Sequence, residues 1–214
     1  MATQKLTATD RFIVGLDQAL NTVFGRPEVT ERVNPADGII NDKLTNTERV
    51  LAGRLMRINH IGEIAAQALY QGQALATKLP DVRKKMKRAA QEENDHLAWC
   101  ESRIDDLGSH KSVLNPLWFA GSFAIGSLAG LAGDKWSLGF VAETEHQVVD
   151  HLNDHLKKLP PADHKSRAVL EQMREDERHH ATVALEAGAA ELPKPIKKLM
   201  HLSSGLMTQT GYWI

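Results

Sequence analysis

A doubled motif, Glu-x-x-His, constrains this chain more than any other feature. Its two copies are Glu93-Asn94-Asp95-His96 and Glu177-Arg178-His179-His180, and an acidic residue stands immediately before each copy. A glutamate and a histidine three residues apart on a helix project from the same face, so they can bind one metal ion together. One such pair is weak evidence because most of them face solvent. Two pairs in one chain favour a metal site built from both.

A lone glutamate precedes each copy by a similar interval: Glu63 before Glu93, and Glu145 before Glu177. Prolines at 80 and 160 mark turns between these positions, so at about 1.5 Å rise per residue the four glutamates lie roughly 20 to 25 Å from their turns. Antiparallel helices then bring all the ligands to one depth. The predicted ligands of this dinuclear, carboxylate-bridged centre are Glu63, Glu93, His96, Glu145, Glu177 and His180.

Helical periodicity predicts four long helices, and no stretch has the pattern of a strand. The first runs from the capping box Thr45-x-x-Glu48 to Leu79, the second from Pro80 to Gly108, the third from Lys135 to Leu159, and the fourth from Asp163 towards Pro193. A short amphipathic helix over residues 8–24 and an extended connection over 25–44 precede them. We therefore predict an all-α protein in which residues 1–44 lead into a single four-helix bundle domain, 45–214.

The charge of the predicted ligands indicates two metal ions. Four buried glutamates facing one core would repel each other, and an ionised carboxylate in apolar surroundings is costly unless it is paired or binds metal. Two divalent cations neutralise four carboxylates. Imidazole and carboxylate ligands suit iron or manganese, and water or dioxygen can take the open positions.

The fourth helix offers two registers for its pair, since Asp176 and His179 are also three residues apart. The face of Glu177 and His180 carries apolar neighbours, whereas the face of Asp176 carries polar ones. We therefore place Glu177 and His180 inward.

Four further residues are candidates for roles around the metals. Glu92 and Asp176 precede the two motifs and are predicted to orient the ligand imidazoles from outside. Tyr70 shares a helix face with Glu63, and His151 follows Glu145 by six residues. For Tyr70 and His151 the sequence leaves open whether they approach the metals or only pack in the core.

Composition excludes some classes of function and favours a compartment. The 214 residues carry 26 Lys and Arg against 27 Asp and Glu, so the net charge gives no reason to expect a nucleic acid partner. Cys100 is the only cysteine, so an intrachain disulfide is excluded and a reducing compartment is favoured. The N-terminal ten residues lack the pattern of a secretory signal, and we expect a chain that faces the cytosol.

Residues 113–133 carry no charge and predict an extra apolar helix that associates with a membrane. The stretch has about the length of a membrane span, but its glycines, serines and proline make insertion unfavourable. We interpret it as interfacial, with Leu117, Trp118, Phe123 and Leu128 available to lipid; a buried core helix is the alternative. Basic residues at 83–88, and at 194–198 beside an apolar pattern that continues to Met207, favour anionic headgroups.

With these motifs in view, the chain resembles the demethoxyubiquinone hydroxylases, from Arg54 to its C-terminus. The resemblance rests on Asn59-His60-Ile61-Gly62-Glu63, the two Glu-x-x-His motifs, Pro116-Leu117-Trp118, and the interval from Glu145 to His151. Each element alone is unspecific, and together they are specific.

The resemblance implies a ferritin-like diiron monooxygenase of ubiquinone biosynthesis. Such an enzyme uses two iron ions per chain and dioxygen to hydroxylate the quinol ring of a polyprenylated demethoxyubiquinol. The resemblance also implies a peripheral protein on the cytoplasmic face of the cell membrane. A lipid-binding helper protein of the pathway and a homo-oligomer are left open as partners.

Two other functions remain open from the sequence. One is a ferritin-like protein that stores iron or removes peroxide, against which the uncharged stretch 113–133 argues. The other is a metal-free, membrane-associated helical adaptor. Bound iron and co-purified quinone would separate the three.

Overall fold

The computed structural model of the protein describes residues 7–25, 27–40, 43–75 and 80–214. The side chains of Ala8, Arg11, Phe12 and residues 80–87 lie outside this description, and so does most of the predicted basic cluster 83–88. The described residues form seven helices and no strand: α1 (Ala8–Phe24), α2 (Asn46–Ala74), α3 (Pro80–Asp106), α4 (Asn115–Leu131), α5 (Asp134–Lys158), α6 (His164–Glu186) and α7 (Lys194–Gly211). The predicted all-α, ferritin-like helical bundle is confirmed.

Two helical hairpins, α2–α3 and α5–α6, make up the bundle. Thr45 and Glu48 form the predicted capping box at the start of α2, and the Asp163 side chain accepts a hydrogen bond from the Ser166 amide at the start of α6. Helix α2 ends at Ala74, and the predicted end at Leu79 lies outside the described residues.

The four inward glutamates lie between two apolar layers of the bundle. In the first layer, α2 contributes Met56, α3 Ile104, α5 Leu152 and α6 Leu170. The second layer lies on the other side of the glutamates along the bundle and includes Tyr70, Leu138, Val141, Ala142 and Ala184. The two layers cover the carboxylates in both directions along the bundle.

Helix α4 packs directly on α2 because both helices carry glycine at the contact. A Cβ atom at Gly126 would overlap the carbonyl oxygen of Leu69, and one at Gly72 would overlap the carbonyl oxygen of Phe123. The close approach therefore depends on glycine at both positions. It fixes one face of α4 against the bundle.

The opposite face of α4 is exposed and apolar, with Leu117 62% and Leu128 68% accessible. Trp118 and Phe123, also expected to be available to lipid, are half-buried: Trp118 lines an internal cleft and Phe123 packs near Phe119. The stretch is thus neither fully buried nor fully exposed. Within the part of the chain that the structure describes, no helix combines the length and apolarity that a membrane crossing requires.

The remaining helices pack around the bundle. Helix α1 contacts α2 and α4, and α7 contacts α2 and α5. At the C-terminus, the Arg54 guanidinium lies 4.8 Å from the ring centroid of Tyr212 and 4.6 Å from that of Trp213. The predicted division of the chain at residue 44 stays a prediction.

Candidate metal centre

All six predicted ligands lie in one buried cluster, one or two on each bundle helix. None is more than 5% exposed: Glu63 on α2, Glu93 and His96 on α3, Glu145 on α5, and Glu177 and His180 on α6. They form two groups of four, Glu63 with Glu93, His96 and Glu177, and Glu145 with Glu93, Glu177 and His180. Within each group one potential ligand atom per residue lies within 4.8 Å of the others.

Two carboxylates, those of Glu93 and Glu177, belong to both groups, and each turns one oxygen towards either side. Glu93 places Oε2 3.4 Å from His96 Nδ1 and Oε1 3.2 Å from His180 Nδ1. Glu177 places Oε1 3.2 Å from His96 Nδ1 and Oε2 3.2 Å from His180 Nδ1. This is the arrangement that two bridging carboxylates between a pair of metal ions require.

The electrostatics of the cluster fit cations. Burial raises the pKa of Glu63 well above its usual value, and the Glu93 carboxylate raises it further. Burial raises the pKa of Glu145 likewise, with the nearby Glu177 and Glu93 acting in the same direction. Both oxygens of Glu93, Glu63 Oε2, Glu145 Oε2 and His96 Nδ1 have no hydrogen-bond partner. A pair of divalent cations would bind these unpartnered atoms and offset the repulsion between the carboxylates.

The register of α6 follows the prediction. Glu177 and His180 are buried, whereas Asp176 is half-buried and His179 is exposed. A metal role for the inner pair stays a prediction that metal analysis must test.

Asp176 and Glu92 contact the outer nitrogens of the two histidines, and they do so crosswise. His96 Nε2 on α3 lies 2.9 Å from Asp176 Oδ2 on α6, and His180 Nε2 on α6 lies 2.8 Å from Glu92 Oε2 on α3. A carboxylate only accepts, so each Nε2 donates, and the inward-facing Nδ1 is the nitrogen that would bind a metal. The pairing holds the tautomer and ties the two hairpins together.

The environment of Asp176 keeps its carboxylate ionised. Burial acts to raise the pKa of Asp176, but hydrogen bonds from His96 and from the Arg32 guanidinium outweigh it and lower the pKa to about 2. Gln172 donates to the other carboxylate oxygen at 2.9 Å.

Tyr70 and His151 both lie near the ligands but in different ways. The Tyr70 hydroxyl donates to Glu145 Oε1 at 2.5 Å, which leaves Glu145 Oε2 unpartnered. His151 belongs to neither ligand group; it lines a cleft with Glu63, and its Nε2 atom has no partner. Burial lowers the pKa of His151 to about 4, with the Lys158 charge adding, so its ring is neutral at pH 7.

The cleft has a volume of about 190 Å³, lies between α2, α4, α5 and α7, and reaches the predicted ligand Glu63. Its wall is mainly apolar, with Leu69, Ile125, Phe140 and Met207 among the lining residues. Ile125 is 43% exposed, so the cleft meets the surface beside α4. Such a space suits an apolar group beside the cluster.

Sequence reasoning missed the contacts of two residues beside the site. Arg32, from the connection before α2, contacts Asp176, and Asn59 contacts His155 on α5 at the side of the cleft. Arg32 lies in a stretch without periodicity, so no sequence signal could have found it. Asn59 lies four residues before Glu63 on α2, so it shares a helix face with a ligand and could have been found.

Comparisons with known proteins agree with this site. Residues 50–211 match the family model described as ubiquinone biosynthesis protein COQ7. A 3-demethoxyubiquinol 3-hydroxylase of Nitrosococcus oceani is 59% identical over 214 residues, which is 100% of both chains. Proteins of the same name from Nitrosomonas eutropha and Acinetobacter baumannii are each 53% identical, over 96% and 97% of this chain and 98% of each relative. With a match over most of its length and relatives this similar, the chain belongs to the COQ7 family of ubiquinone biosynthesis proteins.

Proposed function

We propose that this protein is a 3-demethoxyubiquinol 3-hydroxylase, which uses dioxygen and two iron ions per chain to hydroxylate the ring of a polyprenylated demethoxyubiquinol. The observation that carries the proposal is the pair of carboxylates, Glu93 and Glu177, that each face both histidines. The names of the relatives favour this reaction over iron storage or a metal-free adaptor.

The six side chains would hold the two irons in complementary halves. Glu63 and His96 would bind one, Glu145 and His180 the other, and Glu93 and Glu177 would bridge them. When bound, a reduced iron pair supplies activation of dioxygen and insertion of one oxygen atom into an electron-rich ring. Asp176 and Glu92 would keep the proton of each imidazole on Nε2, so that the inward-facing Nδ1 could bind the metal.

The cleft is the proposed site of the quinol ring. Apart from Glu63, which is assigned to a metal ion, three side chains of its lining have a buried polar atom without a hydrogen-bond partner: Asn59 Nδ2, Trp118 Nε1 and His151 Nε2. Because an unpaired buried polar group is costly, these atoms favour a ligand that carries oxygen substituents. The neutral His151 can accept a hydrogen bond from a ring hydroxyl or donate one to it, depending on its tautomer. The apolar walls would then contact the ring edge and the first part of the isoprenoid tail.

We also propose a peripheral position on the cytoplasmic face of the cell membrane, and the exposed apolar faces support the contact with lipid. Leu117 and Leu128 on α4, and Leu199 and Leu206 on α7, are all more than half exposed. Both helices also line the cleft, through Ile125 on α4 and residues such as Met207 on α7. An enzyme lying on lipid through these faces could take a long-tailed quinol from the bilayer without exposing the tail to water.

The hydroxylation is tested with iron-loaded protein, a reduced demethoxyubiquinol analogue and isotopically labelled dioxygen. We expect one labelled oxygen atom in the ring of the product, read by mass spectrometry. Ser122→Trp places a large side chain in the cleft, so it should raise KM severalfold while the iron content stays unchanged. Ala120→Trp is the matched control, because Ala120 is exposed on the same helix and does not line the cleft.

Unlabelled product, or equal effects of both tryptophan variants, would contradict the proposed reaction or the proposed location of its substrate.

The membrane position is tested with vesicles that contain anionic phospholipid. Burial of a leucine side chain is worth about 2 kcal/mol, so the double variant Leu117→Ser, Leu128→Ser should weaken vesicle binding by at least about tenfold. Leu185→Ser removes a leucine of similar exposure from α6 and serves as the control. The double variant should also retain more activity on a short-tailed, water-soluble quinol than on the long-tailed one. Unchanged vesicle binding would place the membrane contact elsewhere.

A further inference from the structure

The outer contacts of the two ligand histidines continue into two arginines. Arg32 donates to Asp176, the partner of His96, and Arg88 donates to Glu92, the partner of His180, at 2.7 Å. At each proposed iron site, a histidine thus contacts a carboxylate, which contacts an arginine. The two series of contacts differ in how firmly the arginine is held.

Arg32 is held from three directions. Its Nη2 atom contacts Asp176 Oδ2, its Nη1 atom lies 3.8 Å from Asp95 Oδ2, and its guanidinium lies 4.9 Å from the ring centroid of Trp99. The ring of Trp99 in turn lies 5.4 Å from that of His96. Only 21% of the Arg32 side chain is exposed. A guanidinium restricted in this way fixes the carboxylate that it contacts.

The backbone that carries Arg32 is anchored to the same helix as His96. The amide and the hydroxyl of Thr30 both donate to Asp95, each at 2.7 Å, and the Arg32 amide donates to the Thr30 hydroxyl at 3.3 Å. Asp95 is fully buried and directly precedes His96. Ala36, further along the connection, is buried in the core cluster that contains Trp99. The connection is therefore docked on both sides of Arg32.

Arg88 is held less firmly. Its side chain is 49% exposed, and its second partner, Glu31, is 79% exposed at 3.5 Å. An ion pair this open to solvent contributes little to order. The two arginines therefore form a matched pair with unequal expected effects.

We propose that Arg32 is a positioning residue of the metal centre, acting through Asp176 to hold the His96 imidazole towards one of the two irons. The inference rests on the proposed diiron function and extends it to the connection over residues 27–40, which lies outside the region that matches the family model. Among the described residues, the connection forms a firmly held outer layer at one iron site, whereas at the other site it contributes only the exposed Glu31 beside Arg88. The two sites consequently differ in how tightly they retain iron.

The test is iron release from protein loaded with ferrous iron under anaerobic conditions. Wild type, Arg32→Gln, Arg32→Lys and Arg88→Gln are loaded, their iron is counted, and release to a chelator is followed over time. Loss of an outer contact commonly changes metal affinity by about tenfold or more, so Arg32→Gln should accelerate one of two release phases by about tenfold and leave the other unchanged. Arg32→Lys keeps the positive charge but not the planar guanidinium group, so its iron release should lie between those of wild type and Arg32→Gln. Arg88→Gln should stay within about twofold of wild type.

A spectroscopic measurement separates positioning from a general loss of structure. The Mössbauer spectrum of the reduced protein should change for one iron in Arg32→Gln, and urea unfolding of the metal-free variant should stay close to that of wild type. Release from Arg32→Gln at the wild-type rate would overturn the inference, and so would equal acceleration of both phases. A wild type that binds no iron would overturn the proposed function and this inference with it; a wild type that loads normally, with Arg32→Gln unchanged, would overturn only the inference.

Discussion

His155 should make the stability of the protein sensitive to acid. It is buried on α5, and its Nδ1 lies 2.9 Å from Asn59 Oδ1, an atom that only accepts, so Nδ1 carries the proton of a neutral ring. Burial lowers the pKa of His155 from 6.5 to about 2, and the positive charges of His151, when protonated, and Lys158 act in the same direction. The perturbation is a decrease of pH from 7 to 5.

The sign and size follow from the protons bound in each state. Below pH 6.5 the unfolded chain takes up a proton at this histidine and the folded chain does not, so the free energy of unfolding falls as the pH falls. A pH of 5 lies 1.5 units below the pKa of 6.5 of the unfolded ring, so protonation stabilises the unfolded chain by about 2 kcal/mol. At pH 7 the same contribution is only about 0.2 kcal/mol. His155 should therefore cost the protein about 2 kcal/mol between pH 7 and pH 5.

The assay is urea unfolding of metal-free wild type and His155→Gln at a series of pH values. Glutamine cannot titrate, and its amide can still donate to Asn59. Because the carboxylate cluster titrates in both proteins, its contribution cancels in the difference between them. The stability advantage of wild type over the variant should shrink by about 2 kcal/mol from pH 7 to pH 5. A difference independent of pH would refute the assignment of a neutral, buried His155.

Two substitutions test the packing of α4 and the support of Glu145. Gly126→Ala should destabilise the fold by about 2 kcal/mol in thermal or urea unfolding, because its Cβ would overlap the Leu69 carbonyl. The control is Gly121→Ala, in open space on the same helix, which should be neutral or stabilising by up to about 1 kcal/mol. Similar effects at both sites would contradict the close contact. Tyr70→Phe should lower the free energy of unfolding of the metal-free protein by about 1 to 2 kcal/mol, because Glu145 loses a buried donor. The loss should be smaller after iron loading, and an unchanged metal-free protein would show that the hydrogen bond contributes nothing.

The sequence predicted the parts of this molecule that depend on periodicity. Glu93 and His96 share a face by spacing alone, and the repeated interval to Glu63 and Glu145 places the ligands at one depth between two hairpins. The register of α6 was also predictable, since the apolar neighbours Met173 and Ala184 lie on the Glu177 face and are buried in the structure.

Features that depend on contacts between distant segments were not predictable. Glu92 and Asp176 were expected near the imidazoles, but their crosswise pairing depends on how α3 and α6 pack. Arg32 lies in an aperiodic connection, so its contact with Asp176 leaves no pattern in the chain. Trp118 and Phe123 looked available to lipid because an uncharged stretch does not reveal which face meets α2; the glycine contact at Gly126 decides that.

Iron stoichiometry tests the central claim, a two-iron centre built on Glu93 and Glu177, most directly. Anaerobic titration of the metal-free protein with ferrous iron, followed by removal of unbound metal and iron analysis, should give two irons per chain for wild type. Glu177→Ala should lose this capacity because it removes a bridging carboxylate, whereas Asp176→Ala should still bind two irons after loading, although with faster release. Saturation of wild type at one iron or none would contradict the account, and so would an Asp176→Ala protein without iron beside a Glu177→Ala protein that binds two.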